Sequence, residues 1–140
     1  MRGAACLLAV FLTLTACSRE PDEQALRRSL AAMESAIESG ATADFLAHIE
    51  DGFSGQDGAI DRQQLRALLL GYRLRYRDIS LTLGPAKVQL FDGRASVQVE
   101  VLARGGAFLP EAGQLITIQS HWRRTGNDWR CFSASWSGRF

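Results

Sequence analysis

The chain has 140 residues, 46% of them hydrophobic and 22% charged, with a formal charge of +1. That balance fits a single globular domain able to bury a core. Near-neutrality speaks against a nucleic-acid binder, which carries a basic excess, and the sequence holds no repeat or low-complexity tract.

The first element is "MRGAACLLAVFLTLTAC". Arg2 is its only charge, and the 15 residues from Gly3 to Cys17 are apolar or small. A run that short does not cross a bilayer core, which takes about 20 residues; a positive start and a short apolar middle describe an export signal. Leu14-Thr15-Ala16-Cys17 resembles the lipobox of bacterial lipoproteins. The resemblance implies that Cys17 is alkylated with diacylglycerol, that the chain is cut just before it, and that the new amino terminus is acylated. Two or three acyl chains hold a protein firmly to a membrane, where one holds only marginally. Ser18 in place of aspartate favours, by the same resemblance, the periplasmic side of the outer membrane. The expected organisation is therefore a signal peptide over 1–16, a lipidated tether over 17–22 and a folded domain over 23–140. Its expected partner is the lipid membrane, through acylated Cys17.

Processing before Cys17 leaves 124 residues and removes Arg2, which brings the formal charge to 0. Cys6 is discarded and Cys17 carries lipid, so Cys131 has no thiol left to pair with. In "WRCFSASW" it reads as a strand residue and small buried hydrophobe. A catalytic thiol would need a histidine or basic neighbour to depress its pKa.

From Pro21 the period is helical. Leu26, Leu30, Met33 and Ile37 fall at 4, 3 and 4 spacing, the apolar stripe of one amphipathic helix. Pro21, Asp22 and Glu23 suit its first turn, and Gly40 suits its stop. A second short helix is expected from Thr42 to Ile49, presenting Phe45, Leu46 and Ile49. "EDGFSGQDGAI" reads as a glycine-rich loop with Phe53 tucked inward. Asp61 and Gln64 have the form of a capping box, and Leu65, Leu68, Leu69 and Tyr72 give the third helix its apolar face.

After Arg77 the period becomes two. Ile79, Leu81 and Leu83 alternate with polar residues, Gly84-Pro85 breaks or bends the strand, and Val88 and Leu90 resume it. Asp92-Gly93 is a hairpin signal. Val97, Val99 and Val101 form the next strand, then the loop "RGGAFLPEAG" leads to Ile116, Ile118 and Trp122, and "TGND" turns into a last strand from Trp129 to Trp136. One apolar and one polar face mark an antiparallel sheet covered on one side. The expected class is α+β, three N-terminal helices packed on a curved antiparallel sheet.

This order of elements, with "ADFLAHIEDGFSG", "DRQQLRALL" and the closing "HWRRTGNDWRCFSASW", resembles the nuclear transport factor 2-like (cystatin-like cone) superfamily over about Glu20 to Trp136. Several bacterial members are small lipoproteins of unassigned role. Enzymes of this superfamily work inside the cone, and the ketosteroid-isomerase-like ones need a carboxylate base with a tyrosine and a second acid. That triad cannot be assembled here: the first helix has no tyrosine, and Tyr72 belongs to an apolar stripe.

Asp44 and His48 stand four apart, neighbours if both are helical, and are the polar candidates for the pocket, although burial of Phe45 and Ile49 turns Asp44 toward solvent. His121 shares the polar phase of its strand, so the histidines do not converge and no metal site is expected. The aspartates at 51, 57 and 61 lack EF-hand spacing. "RLRYRD" would suit nucleic acid or anionic lipid if extended, with Arg73, Arg75 and Arg77 on one face; as a helix end, Arg73 and Arg77 would meet a C-terminal dipole, the reading a neutral chain favours.

The aromatics are the better pointer. Trp122, Phe132 and Trp136 share the inward phase with the valines, and Phe45, Phe53, Leu69 and Tyr72 come from above. For a domain this small the expectation is a mostly filled interior rather than a pocket. Phe108 and Leu109 would form a lip at the rim. The function expected is a non-catalytic binding or accessory module for an envelope protein or small apolar ligand, without cofactor, with a homodimer through the polar sheet face as a further partner. A small isomerase, cyclase or hydrolase would instead need an inward carboxylate beside a tyrosine or histidine. A subunit of a secretion assembly would need an extended apolar patch on the outer sheet face.

Overall fold

The computed structural model describes residues 20–76, 78–105 and 113–138. Cys17, the signal peptide, Arg77, Phe108 and Leu109 lie outside the described residues. Three helices precede a meander: α1 (Asp22–Ser39), α2 (Thr42–Leu46), β1 (Ile49–Gly55), β2 (Ile60–Asp61), α3 (Arg62–Arg75), β3 (Ile79–Leu83), β4 (Lys87–Phe91), β5 (Arg94–Gly105), β6 (Gln114–Thr125) and β7 (Asp128–Gly138). No helix among the described residues is long and apolar enough to cross a membrane.

The helix signals hold. Asp22 and Glu23 occupy the first turn of α1, which therefore starts one residue inside the predicted tether, and Gly40 ends it at φ +71°, a conformation that glycine adopts without strain. Asp61 accepts from the Gln64 amide at 2.8 Å while the Gln64 side chain accepts from the Asp61 amide at 2.8 Å, the reciprocal box that starts α3. Leu26 and Leu65 are buried on the inner faces of α1 and α3, with Leu30, Met33 and Leu69 packed beside them.

The second helix is shorter than the sequence suggests. It stops at Leu46, and Ile49 opens a strand rather than closing a helix. The expected glycine-rich loop is in fact β1, a one-turn 3-10 segment over Gln56–Gly58, and β2. Its backbone is satisfied by the far end of the chain: the Cys131 amide donates to the His48 carbonyl at 2.8 Å, and β1 pairs parallel with β7, Ile49 opposite Cys131 and Gly55 opposite Ala134. The local pattern, with glycines at 52 and 55, could not announce a partner about eighty residues away.

The sheet order is β2-β1-β7-β6-β5-β3, with β4 also on β5. All pairs are antiparallel except β1 with β7. β3 lies against residues 101–105 of β5 and β4 against residues 94–98, so the two are one edge strand interrupted at Gly84-Pro85. Proline has no amide to donate and is tolerated on an edge. Ala95, Val97, Val99 and Val101 are buried toward the helices, as is Trp122; Ser96, Gln98, Gln119 and His121 take the other phase. The core lies between this face and the helices.

Candidate functional site

The interior is filled only in part. A chamber of about 270 Å³ lies between α1, α3 and the inner face of the sheet, bordered by Leu30, Met33, Phe45, Phe53, Leu69 and Tyr72 above and by Val99, Ile118, Trp122, Ala134 and Trp136 below. Side-chain size along each element is legible in sequence, whereas the separation of the layers that leaves this space is not.

Ser120, Cys131, Glu34 and Tyr72 bring polar side-chain groups to this chamber, and the two buried ones, Ser120 and Cys131, are engaged with the protein. The buried Ser120 hydroxyl donates to the Val97 carbonyl at 3.3 Å and accepts from Trp122 Nε1 at 2.9 Å. The Cys131 thiol donates to the Ser133 carbonyl at 3.3 Å, and burial pushes its pKa up to about 12. No buried side-chain nitrogen or oxygen among the described residues lacks a partner. A chamber built this way holds a guest by apolar contact and exclusion of water.

Six of the seven aromatic and aliphatic candidates meet here: Phe45, Phe53, Leu69, Tyr72, Trp122 and Trp136 all border the chamber. Phe132 does not. Its ring lies against the Arg123 guanidinium at 4.7 Å, the Arg94 guanidinium at 5.8 Å and the His121 ring at 6.3 Å. These are side chains of the outer phase, with Glu50 joined at 3.6 Å to Arg123. A register shift between His121 and Trp122 sets one step on β6 against two on β7. Phe132 is the extra residue of this bulge, so the inward phase changes from Trp129 and Cys131 to Ala134 and Trp136. Counting in twos from Trp136 runs through the bulge and assigns Phe132 to the wrong side.

Asp44 and His48 are not pocket residues. Asp44 is exposed. Because α2 ends at Leu46, the two never share a helical face, and His48 borders a separate polar cleft of about 280 Å³ with Arg28, Asp128 and Arg130. Burial lowers the His48 pKa, and Arg28 and Arg130 lower it further against the smaller raising effects of Asp128 and Asp44. Among the described residues no three His, Cys, Asp or Glu side chains gather closely enough to hold a metal ion.

The chamber adjoins a second cavity, of about 460 Å³, with which it shares Ile37, Leu69, Tyr72, Leu81, Ile116 and Trp136. This mouth has a different chemistry. Arg73 and Arg75 from the end of α3, and Arg104 from the end of β5, stand around it with Tyr76 and Gln114. Arg73 Nη1 donates to the Ser39 carbonyl at 3.1 Å, so it meets the carboxyl end of α1 rather than the dipole of its own helix. Its guanidinium lies where a Cβ on Gly40 would be, so a side chain there would displace the Arg73 tip, while the φ of +71° favours glycine. Tyr72 and Tyr76 stack at 6.2 Å, with the Arg75 guanidinium 5.8 Å from the Tyr76 ring.

The "RLRYRD" segment thus gives a helix end that also furnishes the mouth. Sequence reasoning found Arg73 and Arg75 but had no signal for Arg104, which only the pairing of β3 with β5 brings alongside. It also missed Gln56, whose amide nitrogen donates to the Trp136 carbonyl at 2.9 Å and whose oxygen accepts from the Trp136 amide at 3.1 Å. That side chain stands in for a strand neighbour and fixes one wall of the chamber.

No protein-family model and no curated protein matches the chain. Solved structures do. A nuclear transport factor 2-like protein of unknown function from Pseudomonas putida aligns with TM-score 0.72 at 17% identity, covering 84% of this chain and 87% of that one. A protein with a cystatin-like fold from Nostoc punctiforme aligns with TM-score 0.70 at 13% identity, covering 84% and 91%. Bd1075 of Bdellovibrio bacteriovorus aligns with TM-score 0.72 at 11% identity over 84% of this chain, which spans only 40% of its length. The fold is that of the nuclear transport factor 2-like, cystatin-like cone.

Proposed function

We propose that this protein is a lipid-anchored binding module of the cell envelope, tethered through acylated Cys17 on the periplasmic side of the outer membrane, whose cone takes a small apolar ligand. One observation carries the binding half of this reading: a chamber of about 270 Å³ whose buried polar atoms are bonded to the protein itself. Walls of this kind offer shape and apolar contact, and of the residues that could move a proton Glu34 and Tyr72 border the chamber while the His48 imidazole does not, which supports binding over turnover. The tether rests on Leu14-Thr15-Ala16-Cys17 and its likeness to a lipobox. An envelope protein or second copy would meet the outer sheet face around Phe132 and Arg123, where a cation lies on an aromatic ring.

The binding half is tested by titrating the full chain carrying Cys17→Ser with N-phenyl-1-naphthylamine, a neutral apolar fluorophore. Saturable enhancement at one site per chain is expected, and its absence overturns the pocket. The anchor is tested by palmitate labelling and membrane fractionation of the same variant beside the parent. Labelling that survives the substitution removes it.

A further inference from the structure

We propose that the ligand is an anionic amphiphile, an acyl chain ended by a carboxylate or phosphate head, with the chain in the inner chamber and the head among Arg73, Arg75 and Arg104. This rests on the apolar-ligand reading above and narrows it to one chemical class. The chamber and the mouth adjoin across six shared lining residues, yet their linings otherwise differ. The chamber is lined mostly by apolar side chains, with Glu34 its one carboxylate, whereas three arginines border the mouth.

Those charges have no carboxylate partner among the described residues. Arg66, Arg94 and Arg130 likewise have none, while Arg27, Arg28, Arg62, Arg123 and Arg124 each have one; what sets Arg73, Arg75 and Arg104 apart is that all three border one cavity. Arg73 spends one N–H on the Ser39 carbonyl, and Arg75 lies by the Tyr76 ring, which holds both near the rim with donors to spare. Guanidinium groups bind carboxylate and phosphate oxygens through paired N–H donors. A wholly apolar guest would leave this cluster without a purpose, and a wholly polar one would gain nothing from the chamber. Leu74, at 87% exposure between Arg73 and Arg75, adds an apolar residue at the same end of α3, as a mouth that receives chains from a lipid surface would.

The test uses the full chain carrying Cys17→Ser, with N-phenyl-1-naphthylamine as reporter. Laurate and dodecanol have the same chain length and differ in the head, so each is titrated as a competitor. Laurate is expected to displace the reporter about tenfold more tightly than dodecanol, with an advantage that shrinks as salt rises. The double variant Arg75→Gln, Arg104→Gln should lose that advantage while dodecanol and reporter bind as before. Equal displacement by the two competitors overturns the anionic head and leaves the apolar pocket standing. A reporter that never binds overturns both. Vesicles of dioleoylphosphatidylglycerol, set against dioleoylphosphatidylcholine, separate the sources: displacement by the anionic vesicles assigns a membrane lipid, displacement by laurate alone assigns a free acid, and displacement by neither refutes the proposal.

Discussion

A hollow cone should become more stable when its hollow is partly filled, and Ala134→Leu tests that directly. Ala134 lies on β7 at the chamber wall, half-buried and in an extended segment where leucine is tolerated. The substitution adds three carbons. Burying them in a cavity of about 270 Å³ is worth about 2 kcal/mol at about 0.8 kcal/mol per carbon. Fixing the leucine rotamer removes about 0.5–1 kcal/mol of that. The net gain is about 1.5 kcal/mol, which for a domain of this size raises Tm by roughly 5 °C. Differential scanning calorimetry on the Cys17→Ser background reads the shift, and N-phenyl-1-naphthylamine titration should show binding weakened about tenfold by occupation of its space. A packed interior would respond oppositely, because extra methylenes in a filled core cost about 1–3 kcal/mol. A Tm that falls by several degrees with reporter binding unchanged would refute the chamber.

Three other outcomes are expected. Cys131 should resist a brief iodoacetamide pulse in the native protein and react fully in denaturant, read from its peptide mass; because its pKa rises from 9.0 to about 12 on folding, the unfolded chain ionises first, so stability is full below about pH 9 and is lost as pH climbs toward 12. His48 has the opposite linkage: its folded pKa lies below 6.5, so the unfolded chain takes up the proton more readily, stability is full above 6.5 and declines on acidification, and His48→Gln should flatten that part of the Tm profile while a flat parent profile would contradict it. Gly55→Ala should destabilise by about 1–3 kcal/mol in urea and shift tryptophan emission, since the new Cβ would lie 2.9 Å from Phe53 Cε1 and 3.3 Å from Trp136 Cη2; unchanged stability would mean those rings are not held there.

The Arg124 and Arg62 contacts show how the layers keep their spacing. Arg124 Nη1 reaches the Asp22 carboxylate at 3.2 Å, linking the start of α1 to the end of β6, and Arg62 donates to the Leu46 and Ile49 carbonyls at 3.0 and 3.4 Å, linking the start of α3 to the α2–β1 turn. Ties at the helix ends hold α1 and α3 over the sheet without requiring large side chains beneath their middles. The chamber lies beneath that region, under Leu30, Met33 and Leu69.

The sequence by itself determined whatever depends on near neighbours in the chain. The stripe from Leu26 to Ile37, the Asp61–Gln64 box, the Gly40 stop and the alternation of Val97, Val99 and Val101 all follow from periods of 3.6 or 2 and from local hydrogen bonding. With them came the α+β order of elements and a set of seven expected pocket residues, six of which border the chamber. Only the tertiary structure decided what depends on distant partners. β1 exists because β7 supplies its ladder; Phe132 faces outward because two residues of β7 oppose one step of β6; Asp44 and His48 part because α2 ends early. The hollow, and the meeting of Arg104 with Arg73 and Arg75 at its mouth, follow from how far apart the layers are held. That separation is a sum of long-range contacts and leaves no periodic mark in the chain.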